Sequence, residues 1–347
     1  MSNLTTRAML ERCFSDESNL DSFRNKKSNI VKPLLFEYEQ EIGKMLVEMD
    51  REDIIELIFR YAKGDKKYQP YIAPATVTTL TWVIGKILDW YNRKCDKTYQ
   101  NVLKDYSGSK ADDILWSVVN KAGRITYQDL QSIIKKLHDD PIINYSINGT
   151  DYTRADYFEL VMLLFYSGFD KAQEIIDVTE IDIVNKTCEL ADRTITLTDR
   201  AFELLTAFHN QGVLAIPNGN SVIQHKLCSW HDSYFKFIVQ NGKVDKFNGR
   251  DEGTIRTLIS RDIKFWVGDK YSTGICADAL YWLGVHDRLA AIFSEEELSK
   301  IIFDNDSKNS RLFTKVFKQE IPYRKSFNDS KKCLLQFIDL NIALSSL

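Results

Sequence analysis

The sequence predicts a mainly α protein with a small β-sheet, an α+β chain in two domains. Three observations predict it. Between residues 32 and 62, Leu34, Leu35, Tyr38, Ile42, Met45, Leu46, Met49, Ile54, Ile55, Leu57, Ile58 and Tyr61 recur at three- and four-residue intervals, the helical period. Residues 154–166 are strongly apolar and too long a run for one strand, and they stop at Ser167-Gly168, a helix-ending pair. The stretch "IDIVNKTCELADRTITLTD", residues 181–199, alternates in polarity and is rich in Ile, Val and Thr, which is strand chemistry.

Taken in order, residues 1–30 form an N-terminal segment with no assigned element. Residues 31–107 form a helical domain. Its amphipathic helices over 32–62 are interrupted by Gly64, Pro70 and Pro74, after which "TVTTLTWVIGKILDWYNRK" opens a long helix whose apolar face includes Val77, Leu80, Val83, Ile84, Ile87 and Leu88. The polar "YSGSKADD" marks a linker over 108–122, bridged by a short helix at 114–120. From residue 123 to 347 the second domain begins with a Thr126 N-cap on "TYQDLQSIIKKLHDD". The 154–166 helix follows, then a second helix over 171–178, the strand pair and the helix "DRAFELLTAFHN".

Composition narrows the function classes. The chain has 347 residues, 44% hydrophobic and 27% charged, enough to bury a sizeable core without a membrane span. Its six cysteines are scattered without a CxxC pair, which predicts reduced thiols and a cytoplasmic protein. The net charge of -3 conceals segregation. One basic region holds Lys86, Arg93, Lys94, Lys97 and Lys104, another Lys243, Lys246, Arg250, Arg256, Arg261 and Lys264, and a third spans 308–332. Surface lysines alone fix no partner.

Several chemistries lack their residues. There is no P-loop, no G-x-G-x-x-G and no G-x-S-x-G elbow. His225, Cys228 and His231 in "HKLCSWH" have a spacing that on a helix would turn them to one side, but no fourth ligand is evident, so packing or surface roles are expected and no metal or cofactor. Trp82, Trp90 and Trp116 sit among apolar neighbours at helical spacing and are expected in the core or at a domain contact.

The order of "LLFYSGFDKAQEIIDVTEIDI", "RDIKFWVGDKYSTGICADALYWLGVHD" and "AAIFSEEELSKII" resembles the tyrosine recombinase or phage integrase family over roughly 32–300. Ser167-Gly168-Phe169 matches the family's T-G-L turn, with Glu174 near its acidic position and Ile181-Asp182-Ile183 at the strand entry. The resemblance implies a helical core-binding domain followed by a catalytic-like domain, closing together on duplex DNA. It also implies that the chemistry has gone. Asp170 stands at the first arginine, Arg261 and Lys264 at the H-x-L-R box, Val285 at the histidine of the L-G-H box, and Phe293 or Ser294 at the nucleophilic tyrosine. Lys264 and Lys186 would keep positive charge near the site. Strand cleavage needs charge stabilisation of the phosphate and a nucleophile together, so no cleavage is expected.

The pattern of losses is similar to that of the integrase-derived master repressors of SPbeta-type Bacillus prophages. That resemblance implies a sequence-specific repressor of phage lysogeny in the bacterial cytoplasm, with a double-stranded DNA operator and a protein antirepressor as partners. On it, the helix 76–97 would lie against the groove with Thr79 toward bases and Lys86, Arg93, Lys94 and Lys97 toward phosphates. Lys171, Arg250, Arg256, Arg261 and Lys264 would line the former catalytic face. Asp170 would pair locally with Lys171 or Lys264. Two alternatives stay open: an active recombinase using Tyr323, and a protein-interaction module. In the second, "SRLFTKVF" would present Leu312, Phe313, Val316 and Phe317 to a partner or to another copy, a self-association also compatible with DNA binding.

Overall fold

A computed structural model describes residues 5–16, 34–64, 71–103, 111–146, 152–239, 259–304, 310–323 and 325–339. The chain is mainly helical with two small antiparallel sheets. It divides into two compact units, 1–65 with 72–123, and 66–71 with 124–347.

The first unit contains α1 (Thr6–Asp16), α2 (34–42), a 3₁₀ turn (Leu46–Glu48), α3 (Arg51–Lys63), α4 (Pro74–Lys94) and α5 (Ala111–Ala122). Asp50 caps α3 by accepting from the Asp53 amide at 2.9 Å, while Asp53 accepts from the Asp50 amide at 3.1 Å. Gly64 ends that helix at φ 60, a backbone setting that favours glycine. Pro74 occupies the first position of α4, where its missing N–H costs nothing. The 21-residue α4 buries Val77, Val83, Ile84, Ile87 and Leu88 completely. Helix α1 was not legible in residues 1–30, yet it buries Met9, Leu10, Cys13 and Phe14, and Asp16 accepts from Trp90 Nε1 at 3.0 Å.

The linker expected at 108–122 is corrected from Ala111 onward. That segment is α5, which buries Ile114, Leu115, Val118 and Val119 and packs on α3 and α4, so it belongs to the first unit. Residues 108–110 lie outside the described residues.

The second unit is organised on α7 (Arg154–Ser167), which follows α6 (Tyr127–Asp139). Both begin with a reciprocal cap, Thr126 with Asp129 and Thr153 with Asp156. Helix α7 is apolar nearly all round because neighbours cover it on every side. They are α6, α9 (Asp199–Asn210), α10 (259–269), α11 (Ala277–Ala290) and β3 (Val213–Asn218). Each fully buried leucine or phenylalanine on it contributes about 2 kcal/mol of apolar transfer energy.

After α8 (Ala172–Asp177), β1 (Thr187–Glu189) and β2 (Thr194–Thr196) pair in the expected stretch, with Cys188 opposite Ile195. A second sheet was not foreseen: β3, β4 (Ser221–Ser229) and β5 (Lys236–Val239) in that order. It overturns the helical placement of "HKLCSWH". His225 and Cys228 lie three apart on β4 and therefore face opposite sides, and His231 lies beyond the strand at φ 50. The unit closes with α12 (Glu295–Asp304), α13 (Ser310–Glu320) and α14 (Phe327–Lys332).

Candidate functional site

The elbow after α7 is built by Gly168, whose φ of 128 is closed to most side chains and whose amide donates to the carbonyls of Leu164 and Phe165. Phe169 then drops into the core, and Asp170 follows it with 5% exposure. The Asp170 carboxylate receives the ammonium of Lys325 at 2.5 Å. That ammonium also lies 5.1 Å from the Tyr281 ring centre and 5.0 Å from that of Trp282. The acid at the elbow is therefore paired with Lys325, from the segment after α13, which corrects the expected local pairing with Lys171 or Lys264.

Glu174 answers the second half of the elbow. Its Oε2 accepts from the Asp170 amide at 2.6 Å and from Arg193 Nη2 at 2.7 Å, and the same Nη2 donates to the Gly168 carbonyl at 3.0 Å. Arg193 is a buried structural cation that sequence reasoning passed over. Its only signal was an arginine amid the Thr- and Ile-rich strand stretch, where nothing local explains it.

Beside the elbow opens a cleft of about 540 Å³ lined by Phe165, Asp170, Lys171, Lys264, Cys276 and Asp278 among others. It brings together the two boxes that are distant in sequence. Burial pushes the Asp278 carboxyl upward, Lys325 opposes this, and Asp170 adds to it. Arg261 lies on the same helix as Lys264, its side chain 67% exposed and 3.5 Å from Asp262. Burial raises the Asp262 carboxyl as well, against the pull of Arg261 and Arg154. Arg250 and Arg256 lie outside the described residues.

The L-G-V box has a packing explanation. A Cβ on Gly284 would meet the Tyr166 carbonyl oxygen at 1.7 Å, so α11 crosses α7 closely only because position 284 is glycine. Val285 is fully buried. His286, also buried, places Nδ1 3.0 Å from Asp287 and Nε2 3.6 Å from Glu295. Burial lowers its pKa, but the two carboxylates outweigh that and hold it above the ordinary value.

Phe293 is 3% exposed and packs edge-on to Phe313 at 5.9 Å, beside the stacked Phe313–Phe317 pair. Ser294 caps α12, its Oγ accepting from the Glu297 amide at 3.2 Å. Tyr323 is 95% exposed, and its amide donates to Asp192 at 3.1 Å. The C-terminal helix does not present the expected face: Phe313 and Phe317 are buried in their own chain, and only Leu312 of the four is exposed.

In the first unit, Thr79, Lys86 and Arg93 are spaced by seven and lie along one stripe of α4. Thr79 and Arg93 are exposed, and Lys86 is half-buried with its ammonium 5.9 Å from the Trp82 ring centre. Lys94 is exposed at the last position of α4, and exposed Lys97 lies beyond the helix, which ends earlier than expected. Trp90 is buried, while Trp82 and Trp116 are half-buried. Lys186 pairs with Asp199 at 2.6 Å.

One group of metal-ligating type exists among the described residues: His138, Asp156 and Glu159, whose ligand atoms lie within 4.8 Å of one another. Arg200 sits on it, its Nη2 2.9 Å from Asp156 and 3.1 Å from Glu159, so a guanidinium already neutralises these carboxylates. Among the described residues, no helix is long and apolar enough to cross a membrane. No protein-family model and no curated protein matches the chain.

Proposed function

We propose that the protein is a sequence-specific duplex-DNA-binding repressor with an integrase-like fold that does not cleave strands, akin to the master repressors of SPbeta-type prophages. The observation that carries this is the pairing of loss and retention around one cleft. Exposed cations remain beside it in Arg261 and Lys264, while a buried Asp170 bound to Lys325 stands where an arginine would meet a phosphate. A buried Phe293 stands where a tyrosine would attack. Basic side chains at the cleft and beside it hold a phosphate backbone, and the acids Asp170 and Asp278 that line it oppose the charge of a phosphoryl transition state. The stripe of Thr79, Lys86 and Arg93 on α4 supplies a second basic contact, with phosphates fixing position and base edges fixing sequence.

The fully exposed Tyr323 is the specific observation behind a second reading, a diverged recombinase. Its phenol is accessible, and its backbone is anchored beside Arg193.

The deciding experiment is recovery of sheared DNA from the source organism and its prophages on the purified protein at near-physiological salt. A few discrete enriched sites near promoters are expected. A well-folded preparation that enriches none would end the repressor reading.

A further inference from the structure

Helix α10 changes geometry after Asp262: Ile263–Asp269 is seven residues of π-helix. Hydrogen bonding from i to i+5 widens the turn and shifts side chains out of the α-helical register, and such segments concentrate at functional sites. Here Ile263 and Val267 remain buried, and Phe265 is turned outward with 53% exposure. The exposure is not a general loosening. The adjacent Trp266 is covered by the Phe158 ring at 5.3 Å, by Arg154 at 4.5 Å and by Lys270 at 4.2 Å.

A half-exposed aromatic, edge-on to Trp266 at 5.1 Å and flanked by exposed Arg261 and Lys264, is a mixed surface, apolar at its centre with two cations beside it. Ile183 and Val184 form another exposed apolar tip, but the neighbouring Lys186 is held by Asp199 at 2.6 Å, whereas Arg261 meets Asp262 only at 3.5 Å. We propose that Phe265 is a base-contacting side chain of the DNA interface. Its ring packs on the C5-methyl of a thymine in the major groove while Arg261 and Lys264 hold flanking phosphates. This inference rests on the DNA-binding reading above. The cations select a polyanion over an apolar protein partner. Within a major groove, the thymine methyl is the apolar group that a phenylalanine can meet.

The test uses a fragment recovered from the genomic enrichment and replaces each of its thymines in turn by deoxyuridine, which removes only the methyl group. Affinities of the full-length wild type and F265A are read by fluorescence anisotropy at one salt concentration. One or two replacements are expected to weaken wild type about fourfold, the worth of one buried methyl. The same replacements are expected to leave F265A, already weaker on the native fragment, unchanged. Equal responses of both proteins at every thymine, or native affinity in F265A, would overturn the assignment while leaving specific DNA binding intact. Recovery of no discrete fragment would overturn both. The deoxyuridine series on wild type needs no variant, so it stands even if F265A folds poorly.

Discussion

The ammonium of Lys325 meets the carboxylate of Asp170 at 2.5 Å, and the two side chains are 26% and 2% exposed. A nearly dry carboxylate with a cation clamped over two aromatic rings is an asymmetric arrangement. Removing the lysine takes a close cation from a buried carboxylate, whereas removing the acid leaves an ammonium that can turn to water. Lys325→Met is therefore expected to cost about 3 kcal/mol in urea denaturation, and Asp170→Asn about 1–2 kcal/mol. The double variant should lose less than the sum, because the two side chains interact directly with each other. Wild-type stability in Lys325→Met would mean that the pair does not hold the C-terminal segment to the elbow.

Gly284 is required by geometry and not by chemistry. With the Tyr166 carbonyl oxygen 1.7 Å from the position of a Cβ, even alanine forces α7 and α11 apart. Overpacking at this contact is expected to cost Gly284→Ala about 3 kcal/mol or more, visible as a fall in melting temperature. A melting temperature within error of wild type would show that the helices can separate freely.

What could be read from the sequence follows from where the determining interactions lie. Thr126, Thr153 and Gly168 act within one turn of chain, so the starts and stops of α6 and α7 were legible. So was the β1–β2 pair, whose register follows from alternation. The β3–β4 hairpin carried a local signal too, Gly219-Asn220 with Gly219 at φ 60, but the apolar and basic residues of β4 concealed its strand period. Of the site, Asp170 and Lys171 line one cleft with Lys264, which is distant in sequence, a convergence that only the tertiary fold supplies. The partner of Asp170 could not be read locally, because Lys325 reaches it only through tertiary folding. Arg193 was hidden for the same reason: its partners Glu174 and Gly168 lie across the elbow.

Protonated His286 is favoured in the folded chain, despite burial, by Asp287 and by Glu295, which also holds Arg124 at 2.8 Å. A histidine whose folded pKa exceeds its unfolded value adds stability that is complete below the unfolded pKa. That stability disappears as pH rises through the folded one. Stability should thus decline as pH rises above the ordinary histidine value of about 6.5, and His286→Gln should flatten that part of the profile. An unaltered slope in the variant would assign the effect elsewhere, with His138 as the next residue to test, since its bond to Glu159 raises it in the same sense.

If Arg261 and Lys264 contact phosphates, their charge enters the salt dependence directly. Arg261→Ala with Lys264→Ala is expected to reduce the slope of log affinity against log salt by about 2. The double Glu variant should abolish binding while leaving the melting temperature near wild type, because Arg261 and Lys264 are both exposed. Full affinity at moderate salt in the Glu variant would remove this helix from the interface.

On the integrase-like reading proposed above, placing a phenol at position 293 should give no cleavage. Phe293 is buried against Phe313, so the hydroxyl of Phe293→Tyr would enter an apolar cluster and cost about 1–3 kcal/mol if it found no hydrogen-bond partner. Even an accessible phenol would meet a cleft lined by Asp170 and Asp278, while Arg193 at the elbow is already bound to Glu174 and the Gly168 carbonyl. Incubation of wild type and Phe293→Tyr with a nicked duplex of an enriched site is expected to give no covalent protein–DNA adduct on a denaturing gel. An adduct in wild type that vanishes in Tyr323→Phe would instead make the exposed Tyr323 a nucleophile and the protein a recombinase.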